Sequence, residues 1–388
     1  MSSHDQAMTF LAVADVEVVD DEPERHFDHV RSLFHEADLV FGQLEVPLAN
    51  SGPPQLGGGI RNWGHNKDAR AGAKVLESTG FHVMSHAGNH TMDMSEETLF
   101  ETIDAVAKET DIKLIGVGRT LAGARAPAIV EIGAAKVGFL AYCSVPIKNA
   151  WAEDRMLPNG RHLQRGGINP LRAHTYYEDI DYQPGNLPRI VTETYQEDLE
   201  AMKASISALR PQVDVVAVSM HWGIHFKPAD LAMYQVEAGH AAVDSGADVV
   251  LGHHPHTIKG IEYYGGKPIL YGMPNFNLGI RDEHEEPDPR FLTRDSEKSF
   301  IAKFEISSGR ITRFSLIPCH LDYSTRQPEP LKADDPRAQD IVKYLEYVDR
   351  HNFPDYWAGT GAARAYPPFD TVYRFDGDEI VVEPRAGS

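Results

Sequence analysis

Residues 252–256 read Gly-His-His-Pro-His, directly after the run Asp248-Val249-Val250-Leu251, which ends like a buried strand. Neutral imidazole binds borderline divalent metals, and a His-x-His pair on a tight loop aims two nitrogens into one small space. Pro255 stiffens that loop because its ring fixes φ. Four other segments place ligand-type side chains behind short apolar runs: Asp15 after 10–13, Glu45 after 38–42, Asn89-His90 after 81–85 and His221 after 213–220. Each has a plain structural explanation when taken alone. Asp15 and Glu45 suit turns, Asn89 suits a left-handed turn, and His221 suits a hydrogen-bonded loop. Oxygen and nitrogen donors at successive strand ends, in order along one chain, point instead to a single metal centre. With no thiolate among them, the donors favour Mn, Fe or Zn in a catalytic role over a structural zinc.

Such a centre needs a framework that presents those strand ends. Apolar runs of strand length (10–13, 38–42, 81–85, 113–117, 213–220, 249–251) alternate with helical stretches (25–37, 68–79, 95–110, 196–209, 230–245). Gly80 closes the second helix, and Ser95 offers the short side-chain oxygen preferred at an N-cap. Runs 128–132 and 136–142 turn at Gly133 as a hairpin. Residues 151–196 break the rhythm; rich in Arg, Tyr, Pro and Gly, they read as a long surface excursion of the kind used for lids and binding loops. Beyond Lys267 strands dominate (268–271, 299–306, 311–318), and the tail carries a helix near 337–348 and a hairpin at Asp376-Gly377-Asp378. This order predicts an α/β protein with two packed sheets and helices outside. Ligands of open α/β sheets gather at the carboxyl ends of strands, which is where the polar clusters stand.

A chain of 388 residues is long enough for one large domain or two smaller ones, and 42% hydrophobic with 24% charged residues is ordinary for a globular protein. The net charge of −20 argues against nucleic acid or anionic membrane as a partner. The first ten residues lack the basic flank and apolar stretch of a signal peptide, and no window approaches the roughly 20 apolar residues of a spanning helix. Cys143 and Cys319 are the sole cysteines, which excludes a disulfide framework. A soluble, cytoplasmic protein is expected.

The order of motifs resembles the CapA family (poly-γ-glutamate capsule synthesis), a branch of the calcineurin-like metallophosphoesterase superfamily, from about residue 8 to 318. Gln43-Leu44-Glu45 stands where the family has Asn-Leu-Glu, and Ala87-Gly88-Asn89-His90-Thr91-Met92-Asp93 resembles its Asn-Asn-His-x-x-Asp block. His221-Trp222-Gly223 matches its His-Trp-Gly. Gly252-His253-His254-Pro255-His256, with Gly260-Ile261-Glu262 and Pro268-Ile269-Leu270-Tyr271, follows its last block through Asn275-Phe276. The resemblance implies a four-layer α/β/β/α sandwich of the metallophosphoesterase type holding two divalent ions. Residues 8–320 would form that catalytic domain, with the excursion at 151–196, and 321–388 a C-terminal extension packed on it. Carried over by position, Asp15, Glu45 and His256 bind one metal, and Glu45 bridges to a second held by Asn89, His221 and His254. His90 becomes the general acid, oriented by Asp93, while His253 falls outside the ligand set. Two departures concern the ligands. Glu17 occupies the third place of the superfamily's Asp-x-His, either as a replacement ligand or as an outward-facing strand residue, and the bridging carboxylate is Glu45 rather than Asp. Two more flank them: His225 stands where a Glu often follows His-Trp-Gly, and Pro274 where Gly usually precedes Asn275.

Two metals sharing a water lower its pKa towards roughly 7 and clamp the oxygens of an in-line displacement. The expected function is therefore a dinuclear metal-dependent hydrolase whose metal-bound hydroxide attacks a phosphoester or related bond, with His90 protonating the leaving group. Hydrolysis of γ-glutamyl or other amide bonds is the alternative, and a non-catalytic accessory of polyglutamate or capsule synthesis is a third reading. A small or oligomeric anionic substrate is expected. Arg155, Arg161, Arg165 and Arg172 are candidates to pair with its phosphate or carboxylate, or are solvated surface arginines. Tyr176, Tyr177 and Tyr182 either line a pocket or pack the excursion down, and Trp63 and His65 approach the site from the other side.

Overall fold

Strand Met8–Val16 shows how the sequence builds two interfaces at once. Phe10, Ala12 and Ala14 point into one apolar cluster and Leu11, Val13 and Val16 into another, so a strand buried on both faces reads as one continuous apolar run. The computed structural model describes residues 7–19, 21–49, 68–146, 149–179, 188–278, 295–352 and 367–385. In the first sheet Met8–Val16 lies between Lys298–Ser307, antiparallel, and Leu39–Leu44, parallel. Val83–Ser85 and Lys113–Ile115 continue on the parallel side. Arg310–Asp322, Glu379–Pro384 and Thr371–Asp376 extend the antiparallel side, and Gln327–Pro330 also pairs with Arg310–Asp322. The second sheet runs in the order Ile261–Tyr264, Lys267–Leu270, Val249–His253, Val215–His221, Ala135–Cys143 and Ala128–Ile132.

The sheets pack face to face through aromatic rings. Phe139 of the second sheet meets Phe10 edge-on at 5.7 Å and stacks on Phe41 at 5.8 Å. Helices Arg31–Glu36, Ala69–Thr79 and Glu96–Glu109 cover the outer face of the first sheet through Phe34, Leu76 and Val106. Gln196–Leu209 and Met233–Asp244 cover the second through Met202, Ile206 and Val236. The result is a four-layer α/β/β/α sandwich. Asp68 and Ser95 cap their helices through side-chain oxygens, and Gly80 takes the left-handed C-cap at φ 110°.

Three details depart from the sequence reading. Residues 25–37 are not one helix: a 3-10 turn, Pro23–Phe27, precedes Arg31–Glu36. The 3-10 turn begins at Pro23, and its cap amide, Asp28, donates to the Arg25 carbonyl rather than continuing the α-helical pattern. The expected strand 113–117 is two, Lys113–Ile115 and Val117–Gly118, separated at Gly116 with φ 79°. The excursion holds two hairpins, Glu153–Met156 with His162–Arg165 and Ala173–Glu178 with Arg189–Thr194, while Gly167–Ile168 pairs with Val117–Gly118. These hairpins are mostly exposed on both faces, so they carry no apolar alternation to read. The tail helix Pro336–Arg350 contributes Ile341, Leu345 and Val348 to the cluster between the sheets, and its buried Asp349 accepts from the Ile261 amide (2.9 Å) and the Tyr373 hydroxyl (2.7 Å). Among the described residues, no helix is long and apolar enough to cross a membrane.

Candidate metal centre

The parallel strands of both sheets end on the same side, where an isolated parallel bridge pairs Ala14 with Asn275. At the end of Met8–Val16 the pairing with Leu39–Leu44 slips between Val13 and Val16, and Asp15 takes a left-handed φ of 51°. That irregularity re-aims its carboxylate, the usual effect of a bulge. The Asp15 amide donates to Gln43 Oε1 at 3.0 Å, so Gln43 fixes the turn. His86 is fully buried, and its Nδ1 contacts the Leu44 carbonyl at 3.0 Å, which holds the segment leading to Glu45.

Ligand atoms of Asp15, Glu45 and His256 lie within 4.8 Å of one another, all buried. His256 Nδ1 is 3.3 Å from Asp15 Oδ2 and its Nε2 is 3.6 Å from Glu45 Oε1. Asn275 completes this side by accepting from His256 Nδ1 at 2.7 Å while its own amide donates to the Tyr323 hydroxyl. A second convergence forms beside it: His221 Nε2 lies 2.6 Å from Asn89 Oδ1 and 3.1 Å from His254 Nδ1. His90 stands between the groups, with Nδ1 2.6 Å from Asp93 Oδ2 and Nε2 3.9 Å from Glu45 Oε1. The fold thus brings Asp15, Glu45, Asn89, His90, Asp93, His221, His254 and His256 into one neighbourhood.

The electrostatics test whether this donor set fits divalent cations. Both carboxylate oxygens of Asp15 and both of Glu45 are buried with no hydrogen-bond partner among the described residues. A buried ionised carboxylate is costly unless paired or bound to metal. Burial, reinforced by the neighbouring Asp15 charge, pushes the Glu45 carboxyl up to about 7. Burial works against protonation of His256, yet Asp15, Glu45 and the Asn275 hydrogen bond outweigh it and raise it to about 9. His221 and His254 are held well below the usual imidazole range by burial and then by surrounding imidazoles, so both keep a free nitrogen lone pair, as a metal ligand must. Two carboxylates without hydrogen-bond partners among the described residues, beside the neutral imidazoles of His221 and His254, are a set that divalent cations would complete.

Backbone strain gathers at the same place. Asp15, Phe226, Ala229, His254 (φ 96°) and His256 (φ 57°) are non-glycine residues in the left-handed region. Each costs of order 1–3 kcal/mol and persists only where its surroundings over-determine it, a pattern concentrated at functional sites. The surroundings are visible for Phe226 and Ala229. Buried Lys259 donates from its ammonium to the carbonyls of Lys227 and Asp230 (2.9 Å to the latter), and the Phe226 amide donates to Pro255 O at 3.0 Å. The loop so held lays His225 over His254, ring centroids 3.7 Å apart, and Phe226 over His256 at 5.3 Å.

Several expectations land elsewhere. Glu17 is fully buried rather than outward-facing; its carboxylate pairs with buried Arg326 at 3.2 Å, and its backbone is clasped by Asn277. Arg155 and Arg165 pair with Glu153 within the first hairpin of the excursion, and Arg172 pairs with Asp198 and Glu197 of helix Gln196–Leu209, tying the excursion to that helix. Arg161 is exposed. Tyr176 donates to Glu193 and Tyr177 is exposed, whereas Tyr182, Trp63 and His65 lie outside the described residues. Sequence reasoning gave no role to Gln43, Asn275, Lys259 or Arg326. Gln43 and Asn275 stood inside recognised motifs, but Arg326 had no local signal, since its partner lies 309 residues away.

An α/β/β/α sandwich with a carboxylate–imidazole centre at its strand ends is the class that fold and site define. The chain belongs to the bacterial capsule synthesis protein PGA_cap family, whose model matches residues 7–279. It is 26% identical over 321 residues to the PGA biosynthesis protein CapA of Bacillus subtilis, covering 82% of this chain and 70% of that one. A probable polyglutamine synthesis accessory protein of Mycobacterium tuberculosis is 31% identical over 199 residues, 49% of this chain and 43% of the relative, so the match spans under half of that protein. Among solved structures, the sulfate thiohydrolase SoxB of Thermus thermophilus aligns at 12% identity with a TM-score of 0.42, over 90% of this chain and 61% of that one.

Proposed function

We propose that this protein is a dinuclear metal-dependent hydrolase of anionic substrates, with a phosphoester as the first substrate class. The observation that carries the proposal is the pair of buried carboxylates, Asp15 and Glu45, left without hydrogen-bond partners among the described residues and facing imidazole nitrogens. Asp15, Glu45 and His256 would hold one cation and Asn89, His221 and His254 the other, with Glu45 offering an oxygen to each. Bound there, Mn, Fe or Zn supplies Lewis acidity and a water acidic enough to act as nucleophile near neutral pH.

The chain's own residues do the rest. Asp93 accepts from His90 Nδ1, which fixes the ring and leaves Nε2 directed at the centre. Burial opposes protonation of His90, but the Asp93 hydrogen bond and charge, followed by Glu45, raise its pKa above the ordinary imidazole value. A protonated Nε2 donates to the departing oxygen, a contribution of about 10²–10⁴-fold. His225 and Phe226 roof the histidines and limit water at that side. Cleavage of a γ-glutamyl or other amide bond is the second reading, favoured by the relatives whose names place them in PGA or polyglutamine synthesis. A non-catalytic accessory role in polymer synthesis is the third. The proposal includes a cytoplasmic setting, with no nucleic acid or membrane partner.

The test is turnover of nitrophenyl phosphate mono- and diesters beside γ-glutamyl-nitroanilide, with Mn or Zn added to chelator-stripped protein. Metal-dependent release from the esters is expected, lost in His90→Asn while metal binding persists. Release from the anilide alone selects the amide reading, and a metal-loaded protein inert towards all of these contradicts the phosphoester proposal.

A further inference from the structure

The segment that supplies His254 and His256 runs on into Lys259, which is 1% exposed yet reaches across to a neighbouring loop. Its ammonium donates to the Lys227 carbonyl and, at 2.9 Å, to the Asp230 carbonyl. Its own amide donates to the Gly272 carbonyl at 3.0 Å, and a Cβ on Gly272 would come within 2.6 Å of Lys259 Cγ, so the stem lies in a slot that glycine leaves open. The loop so gripped, residues 225–230, is a strap between strand Val215–His221 and helix Met233–Asp244. A second fastening is the Phe226 amide, which donates to the Pro255 carbonyl at 3.0 Å. His225 lies over His254 and 5.4 Å from His256, and Phe226 lies over His256.

The strap does not take this shape from its own preferences. Phe226 (φ 54°) and Ala229 (φ 62°) sit in the left-handed region, which bulky and β-carbon-bearing residues rarely adopt. Contacts from outside must hold it, and Lys259 supplies two of them, to carbonyls on either side of Ala229. A buried ammonium is costly unless it is hydrogen-bonded and paired. An apolar chain of the same length would fill the slot beside Gly272 without that cost. What lysine adds is the pair of donors, and what the donors reach is the strap. An imidazole bound to a cation releases it by swinging away, and rings laid over His254 and His256 obstruct that swing until the strap lifts.

We propose that Lys259 is a positioning residue that clamps strap 225–230 against the centre, and that lifting this strap gates the entry and release of the cations; this rests on the metal-centre reading above. The strap covers the ligands without supplying one. Loosening it therefore speeds entry and release by similar factors and leaves affinity nearly unchanged. A side chain that merely packs beside the centre would alter affinity or stability without that matched change in rates. The two hydrogen bonds from the ammonium are each worth on the order of a factor of ten in the opening equilibrium, which sets the size of the effect.

Hydrogen exchange on the full chain, stripped of metal, reads the clamp. In Lys259→Met, which keeps the stem and removes the donors, the Phe226 amide should exchange about 10–100-fold faster, while amides of Val249–His253 exchange as in wild type. Lys259→Gln, which keeps two N–H donors without the charge, should exchange more slowly at Phe226 than Lys259→Met. Wild-type exchange in Lys259→Met, or equal exchange in the two variants, overturns the clamp. Stopped-flow transfer of Zn to and from a chelator reads the gate. Entry and release should both quicken about 10–100-fold in Lys259→Met, with affinity within about threefold of wild type. Unchanged rates, or a loss of affinity that accounts for all of the faster release, overturns the gate. Wild type supplies a test that needs no substitution, should a variant fail to fold. Zn should leave it no faster than the Phe226 amide opens, and release that outruns opening also overturns the gate. Wild-type protein that takes up no Zn contradicts the metal-centre reading itself, whereas exchange in the stripped protein judges the clamp separately.

Discussion

Replacing Glu45 by Gln should stabilise the metal-free protein and remove much of the stability gained from metal. Glu45 is 1% exposed, and burial together with Asp15 raises its carboxyl from 4.5 to about 7. The sign follows from linkage. A carboxyl whose folded pKa is raised binds more protons folded than unfolded, so its contribution is fully present below pH 4.5 and is lost as pH rises through 7. Ionising it in the folded state costs about 1.4 kcal/mol per unit, or about 3 kcal/mol above pH 7. Glutamine has no such charge, so chelator-stripped Glu45→Gln should exceed stripped wild type by up to about 3 kcal/mol at pH 8 and by little at pH 5. For a chain of 388 residues the unfolding entropy is roughly 0.8 kcal/mol/K, so the shift is about 4 °C in Tm. Calorimetric melts with and without metal at both pH values measure it. Metal at about 100-fold over its Kd should stabilise wild type by about 2.7 kcal/mol and the variant by less. A stripped Glu45→Gln that melts below stripped wild type at pH 8 would refute the reasoning, because it would make Glu45 a structural acceptor.

Asp349 supplies a pH dependence remote from the centre: burial raises its carboxyl to about 8 despite hydrogen bonds from Tyr373 and Ile261, so the stability it confers is lost as pH rises through 8. Wild-type Tm should therefore fall from pH 6 to 9, and Asp349→Asn should flatten that fall; parallel slopes in the two proteins would contradict it. Gly252→Ala should cost about 1–3 kcal/mol in chemical denaturation, because a Cβ there meets the Leu270 carbonyl, Trp222 Nε1 at 2.6 Å and the Tyr271 carbonyl at 2.7 Å. A neutral effect would show that the histidine loop has room to shift.

Much of the site was legible because its parts are local. Asp15, Glu45, Asn89, His221, His254 and His256 each stand at or just past the end of a strand whose apolar run is visible, and parallel strands bring those ends together. The four layers were legible for the same reason: strands such as Met8–Val16 and Val215–His221 are buried on both faces, and the helices between them carry one apolar side. What sequence reasoning missed depends on distance. The Glu17–Arg326 pair joins the first strand to a turn before Gln327–Pro330, and no local pattern announces it. The excursion's hairpins are exposed on both faces, so their pairing leaves no period in the sequence. His253 already fell outside the expected ligand set, but the sequence carried no sign of its contacts with Ser219 and His221.

The central claim is that one cleft holds two cations on two defined donor sets. Anomalous diffraction from crystals of the full chain soaked in Mn addresses it directly. Two peaks are predicted, one among Asp15, Glu45 and His256 and the other among Asn89, His221 and His254, with Glu45 contacting both. A single peak, or none within those residues, would contradict the account.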